Sequence, residues 1–147
     1  MQEHLKGKRV YFDTNPIIYF VEGHDIFYSA VKPIFDLLDQ DLITAFTAEF
    51  TVTEVLIKPY RDQLHELIEA YQGLLLESEY FTLLGANATT FHQAAKLGGE
   101  TGMRTPDAIH MATAYENQCD FFITNDKRIR SYQHVIVLQV SDLIEII

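Results

Sequence analysis

The chain contains a single cysteine, Cys119, and no run of uncharged apolar residues near the length of a membrane span. One cysteine cannot form an internal disulfide, so we expect a protein of the reducing cytoplasm. A transmembrane helix needs about 18 or more consecutive apolar residues, so no membrane association is predicted. The opening residues, M-Q-E-H-L-K-G-K-R-V, lack the apolar centre of a signal peptide.

Basic residues are also scarce, because 11 Lys and Arg face 21 Asp and Glu, for a net charge of −10. Such a balance argues against a broad basic surface that coats nucleic acid. It leaves open a site where carboxylates are concentrated to hold cations. The six histidines show no paired spacing typical of a zinc site.

The chain has no internal repeat and no linker rich in Pro, Gly or Ser, and its 147 residues match one domain of ordinary size. We therefore expect a single domain over residues 1–147. Segments with helical spacing separate short β-prone runs, which favours crossover connections and a mainly parallel sheet. The prediction is a three-layer α/β/α sandwich, with strands at residues 9–12, 42–46, 80–84, 121–124 and 135–140. A helix is expected over residues 89–97, ending at Gly98-Gly99, and a short element over residues 141–147.

Two of these predicted strands end in an aspartate segment. Asp13 follows residues 9–12, and Asp126 follows residues 121–124 after one asparagine. The carboxyl ends of parallel strands lie at one edge of a sheet, where ligands bind, so both carboxylates are expected there. The alternative is that each aspartate merely forms a turn after its strand.

Two further acids lie at predicted helix starts. Asp107 falls in the first turn of a helix with Thr105 as the expected N-cap, and that helix leads into strand 121–124. It is therefore expected at the same sheet edge, although a helix N-terminus by itself favours an acid. Glu54 forms a capping-box pattern with Thr51, yet its apolar surroundings also suit a carboxylate that binds a cation.

Together these four segments resemble the PIN domain, a metal-dependent ribonuclease fold. The matching motifs are V-Y-F-D-T-N, T-V-T-E-V-L, R-T-P-D-A-I-H-M-A-T-A and F-F-I-T-N-D. The resemblance implies a Mg²⁺ or Mn²⁺ site whose metal-binding and catalytic residues are Asp13, Glu54, Asp107 and Asp126. The chain length resembles VapC-type toxins, which implies an RNA substrate, a cognate antitoxin partner and a homodimer.

Several neighbouring residues are candidates for supporting roles. By the same resemblance, Thr124 would support the acids through its hydroxyl group. Arg104 is a candidate for contact with a substrate phosphate, and Asn15 for substrate binding or simply for closing a turn. His110 lies three residues after Asp107, and we expect a half-buried structural histidine there rather than a catalytic one.

Other classes of protein fit the pattern less well. A receiver domain needs an acceptor aspartate after a middle strand and a lysine after the last, whereas Gly85 and Ser141 follow the corresponding strands. A haloacid-type phosphatase needs a second acid at position 15, which is asparagine. The remaining alternative is a catalytically idle PIN-fold module that binds protein or RNA. If acid repulsion dominates the site, Asp126→Asn should be neutral or stabilising without metal.

Overall fold

The computed structural model describes residues 2–144, with the side chains of residues 3–143. Its centre is a five-stranded sheet in which every neighbouring pair is parallel, in the order β3-β2-β1-β4-β5. Tyr11 in the middle strand is paired with Phe46 on one side and with Phe122 on the other. The strands are β1 (Arg9–Phe12), β2 (Thr44–Ala48), β3 (Phe81–Leu84), β4 (Phe121–Thr124) and β5 (Ile136–Gln139).

Helices cover both faces of this sheet. They are α1 (Gln2–Leu5), α2 (Thr14–Glu22), α3 (Tyr28–Asp39), α4 (Glu49–Arg61), α5 (His65–Gln72), α6 (Ala88–Thr101), α7 (Thr105–Glu116) and α8 (Val140–Ile144). A π-helical turn, Gly73–Glu77, follows α5. No helix within the described residues is long and apolar enough to cross a membrane.

The alternation of side chains along the strands divides the core into two layers. Val10 and Phe12 face a cluster built with α1 to α5 and α8, whereas Tyr11 and Phe122 face a second cluster built with α6 and α7. Successive residues of a strand point to opposite faces, so both faces must be apolar when both are covered. The predicted three-layer α/β/α sandwich with a mainly parallel sheet is confirmed.

The capping box of Thr51 and Glu54, one of the two alternatives left open by the sequence, is not formed. Helix α4 begins at Glu49 after Ala48, so Thr51 lies inside its first turn. The Thr51 hydroxyl instead shares a hydrogen bond of 2.9 Å with the hydroxyl of Thr47, a buried residue of β2. Glu54 is therefore free of a capping role, and one of the two explanations for this acid falls away.

The N-cap of α7 and the end of α6 also differ from prediction. Thr105 is the first helical residue of α7, and Arg104 occupies the N-cap position. Helix α6 continues through Gly98 and Gly99 and closes at Gly102, which has a φ of 78°. A Cβ atom on Gly98 would lie 3.4 Å from the Met103 carbonyl oxygen, which is an ordinary contact, so packing here does not require glycine. The predicted element at residues 141–147 lies partly outside the described residues.

Candidate active site

Asp13 follows β1 at the carboxyl edge of the sheet, where it serves as the N-cap of α2. Its residue exposure is only 5%. Oδ1 accepts a hydrogen bond of 2.8 Å from the backbone N–H of Thr14, and Oδ2 accepts one of 2.6 Å from the Thr124 hydroxyl. A buried carboxylate needs such donors because burial removes its hydration. The same hydrogen bonds therefore fix both of its oxygens.

Thr124 and Asn15 connect the ends of β1 and β4. Thr124 is the last residue of β4, and its hydroxyl oxygen also accepts a hydrogen bond of 3.1 Å from the backbone N–H of Asp126. Asn15 accepts one of 3.0 Å from the backbone N–H of Asn125. These contacts place Asp126 beside the buried Asp13, as expected for two strands that run parallel. They also engage the side-chain oxygen of Asn15 in the fold.

Glu54 reaches the same edge from α4. Its Oε1 atom accepts a hydrogen bond of 2.8 Å from the Thr14 hydroxyl and lies 2.9 Å from Nε2 of His110. That Nε2 atom is also 3.6 Å from Oδ1 of Asp13. His110 thus lies between two of the four acids, which are contributed by separate parts of the chain.

His110 is more deeply buried than its position in the sequence predicted. The residue is 2% exposed rather than half-buried, and its Nδ1 atom lies 2.6 Å from the hydroxyl of the fully buried Tyr11. The ring of Phe50 covers the imidazole, with centroids 4.3 Å apart. The available signal was its position three residues after Asp107 on the same helix face. No sequence signal linked it to Tyr11, because the two residues come together only across the β1–α7 packing.

Asp107 and Asp126 share an arginine rather than a histidine. Nε of Arg104 lies 3.3 Å from Oδ2 of Asp107, and its Nη2 lies 3.6 Å from Oδ2 of Asp126. Arg128 contacts both oxygens of Asp126, at 3.0 Å from Nε and 2.9 Å from Nη2, and donates its backbone N–H to Oδ1 at 2.9 Å. Two exposed guanidinium groups therefore partly neutralise this half of the acid cluster.

The acids differ in electrostatic environment. Burial raises the pKa of Asp13, and the nearby charge of Asp107 adds to that increase. Burial also raises the pKa of Glu54, but hydrogen bonds from His110 and the Thr14 hydroxyl outweigh it and lower the pKa overall. Hydrogen bonding to Arg128 lowers the pKa of Asp126. Attraction therefore dominates at Asp126, and the expectation that Asp126→Asn relieves repulsion does not fit its surroundings.

The four acids form one connected network, joined by shared partners. His110 links Glu54 to Asp13, Thr124 links Asp13 to the Asp126 backbone, and Arg104 links Asp126 to Asp107. Carboxylate and hydroxyl oxygens are hard ligands of the kind that Mg²⁺ and Mn²⁺ prefer. Within residues 2–144, however, no three His, Cys, Asp or Glu side chains are positioned to hold a metal ion. The donor chemistry fits a divalent cation, while the arginines now pair with two of the acids.

The fold and this network define an α/β protein with an acidic site at the carboxyl edge of a parallel sheet. The family model of the PIN domain matches residues 10–135. The chain belongs to the PIN domain family. Among curated proteins, none matches the chain.

Solved structures of toxin–antitoxin proteins share the fold. A toxin–antitoxin complex from Klebsiella pneumoniae has a TM-score of 0.67 and 20% identity, covering 86% of this chain and 95% of that one. VapBC2 from Rickettsia felis, bound to a promoter DNA fragment, has a TM-score of 0.70 and 13% identity, covering 89% and 98%. Mycobacterium tuberculosis VapC20, a toxin that cleaves the sarcin–ricin loop, has a TM-score of 0.62 and 16% identity, covering 77% and 86%.

The hydroxyl of Thr124 should be important for stability. Thr124→Val leaves a buried carboxylate oxygen and the Asp126 N–H without this partner, so we expect a loss of about 1–3 kcal/mol in the free energy of unfolding. Urea denaturation measures it. Thr113→Val is the matched control, because the equally buried Thr113 hydroxyl only bonds the Ile109 carbonyl in its own helix. A loss no larger than that of the control would contradict the assigned contact.

Proposed function

We propose that residues 1–147 form one PIN-like domain that acts as a Mg²⁺- or Mn²⁺-dependent endoribonuclease. The observation that carries this proposal is the connected network of Asp13, Glu54, Asp107 and Asp126 at one sheet edge. Acids from four distant segments are costly to gather unless a cation uses them. Membership of the PIN family supports the same reaction, hydrolysis of an RNA phosphodiester bond.

The four acids would hold the cation, and their supports differ. Thr14 and Thr124 fix both oxygens of Asp13, whereas Glu54 keeps one oxygen, Oε2, without a hydrogen bond among the described residues. A divalent cation bound there would activate water and stabilise charge on the scissile phosphate. The protein would orient that chemistry through the rigid attachment of Asp13 and Asp126 to the ends of two paired strands.

Arg104 and Arg128 would contact the substrate. Their side chains are 59% and 61% exposed, and each now pairs with a site acid. When a phosphate and a divalent cation bind together, each member of these ion pairs would gain a new partner. The carboxylates would bind the cation, and the guanidinium groups would bind the phosphate. Local arginines would then supply the positive charge that the net charge of −10 does not. Asn15 borders this surface and would contribute less, since its side-chain oxygen is already bonded to the Asn125 backbone.

A toxin role is the biological setting that we infer, with a cognate antitoxin as partner and a homodimer as the assembly. The support is the fold shared with proteins from toxin–antitoxin complexes. RNA as the substrate and the single buried Cys119 both suit the cytoplasm. The alternative is an idle PIN-fold binding module, which the lack of a preformed three-ligand group within residues 2–144 favours. Cleavage assays decide between the two.

Purified protein should cut single-stranded RNA with Mg²⁺ or Mn²⁺ and stop when EDTA is added. Asp13→Asn should lower the cleavage rate at least about 100-fold because it removes a charge that stabilises the reacting centre. It should not lower the melting temperature greatly without metal, because burial of the charged Asp13 is unfavourable. Gel analysis of labelled RNA measures the rate.

Asp25→Asn is the matched control, since Asp25 is exposed and lies in the loop between α2 and α3. It should cut RNA at the wild-type rate. Equal activity of Asp13→Asn and wild type would identify a contaminating nuclease. Absence of cleavage by the wild type on a panel of structured and unstructured RNAs would favour the idle binding module.

Divalent cations should stabilise the folded chain. At a concentration about ten times the dissociation constant, binding adds about 1.4 kcal/mol, which corresponds to a rise of about 3–6 °C in melting temperature. Differential scanning fluorimetry measures the shift, with NaCl at equal ionic strength as a control for screening. Glu54→Gln should shift less. If 10 mM Mg²⁺ or Mn²⁺ leaves the wild-type melting temperature unchanged, the cation site is wrong.

Arg104→Gln should have opposite effects on the two ligands. Removal of this guanidinium ends its competition for Asp107 and Asp126, so Mn²⁺ should bind more tightly by calorimetry. RNA should bind more weakly, with a KM about tenfold higher, because a charge-assisted phosphate contact is lost. Arg61→Gln makes the same charge change in the last turn of α4 and should alter neither value. If Arg104→Gln weakens both Mn²⁺ binding and RNA binding, the proposed replacement of the arginine by the cation is wrong.

A further inference from the structure

Tyr11 and His110 form a buried polar pair directly behind Glu54. Tyr11 is fully buried and His110 is 2% exposed, so both side chains are removed from solvent. The phenol oxygen is 2.6 Å from Nδ1, and Nε2 is 2.9 Å from Oε1 of Glu54. Burial of two polar side chains is costly unless each polar atom has a partner. Here Tyr11 and His110 hydrogen-bond to each other, and the other ring nitrogen of His110 bonds to Glu54.

The chemistry of the end groups fixes the direction of these hydrogen bonds. An ionised carboxylate only accepts hydrogen bonds, so Nε2 must carry the proton that points to Glu54. In the neutral ring Nδ1 then accepts, and the Tyr11 hydroxyl donates to it. Among the described residues that hydroxyl has no other acceptor, which agrees with this direction. The result is a chain of two donors, each oriented by the group behind it.

These two linked hydrogen bonds end at Glu54, which is the more exposed of the two acids beside His110. The Glu54 side chain is 34% exposed and has three rotatable bonds, whereas Asp13 is anchored beside its strand. Donors from His110 and Thr14 both go to Oε1. They hold the carboxylate toward Asp13 and leave Oε2 for another partner. The same Nε2 atom lies 3.6 Å from Oδ1 of Asp13, so both acids face one imidazole ring.

We propose that Tyr11 and His110 are positioning residues that orient the Glu54 carboxylate for the divalent cation of the proposed nuclease. The inference rests on that proposed function, and it goes further because it assigns a task to a buried pair outside the acid quartet. An aliphatic residue could not replace histidine here, because only a side chain with two polar atoms can bond to Tyr11 and Glu54 at once. Neither residue touches the reacting atoms, so neither is a catalytic residue.

Mn²⁺ titration by calorimetry tests the pair in three variants. His110→Leu removes the donor and should weaken Mn²⁺ binding about 10–100-fold, the usual effect of losing a group that orients a metal ligand. Tyr11→Phe should weaken it by a smaller factor, because the imidazole stays but loses its orientation. His110→Gln offers an amide N–H near the position of Nε2 and should restore part of the affinity. Activity assays should show the same order in kcat with KM for RNA little changed.

Tyr71→Phe is the matched control. The phenol of Tyr71 is also buried and donates a hydrogen bond of 2.5 Å to a glutamate, Glu22, which is not one of the four site acids. It should lower the melting temperature as Tyr11→Phe does, yet leave Mn²⁺ affinity at the wild-type value. If Tyr11→Phe and His110→Leu fold and bind Mn²⁺ as tightly as wild type, the positioning role is wrong and the proposed function stands. If the wild type itself binds no Mn²⁺, the proposed function and the role of the pair both fail.

A second measurement needs neither a metal ion nor a variant protein. Nitrogen-15 NMR of the metal-free wild type should find a proton on Nε2 of His110 at neutral pH, with a coupling pattern distinct from that of the exposed His134. A proton at Nε2 supports the donor to Glu54. An Nε2 atom without a proton overturns it, whatever the result of the Mn²⁺ titration.

Discussion

Burial of the Asp13 carboxylate at the end of β1 is the constraint on which the site depends. The charge lies in the middle of the sheet, 5% exposed, and burial raises its pKa. An isolated charge in such a place would be strongly unfavourable. Thr14, Thr124 and His110 each contribute a polar contact to it, and these contacts bring the end of β4 and the face of α7 to one point. Two of these groups contact Glu54 and a third contacts the Asp126 backbone, so both acids lie near Asp13.

Compensation of charge divides the site into two halves. On one side Glu54 and Asp13 face a buried histidine and two threonines, which contact them through hydrogen-bonding groups. On the other, Asp107 and Asp126 face exposed arginines. An exposed guanidinium is more readily displaced by another cation than a buried hydrogen-bond donor is. A chain with a net charge of −10 thus keeps two arginines beside its acidic site.

Much of the site could be predicted from sequence because the relevant signals are local. Asp13 and Asp126 directly follow apolar strands, Asp107 opens a helix, and their order matches the PIN motifs. Thr51 shows the limit of the same approach. Its spacing from Glu54 matches a capping box, but in the fold Thr51 lies within α4 and bonds to Thr47. The N-cap of α4 is Ala48, three residues before Thr51, because the preceding strand ends there and no local rule sets that length. The Gly98-Gly99 pair misled similarly, because α6 continues through both glycines and ends at Gly102, which has a positive φ.

The sequence by itself determined the layer architecture and the edge at which the acids lie. Both follow from periodicity and from the residues that end each strand, which are properties of short segments. Only the tertiary structure decided which side chains meet there. Tyr11 meets His110, 99 residues away, and Arg104 contacts both Asp107 and Asp126. These contacts depend on the strand order and on how α7 packs against the sheet. Such contacts arise from distances between elements, and no spacing along the chain encodes those distances.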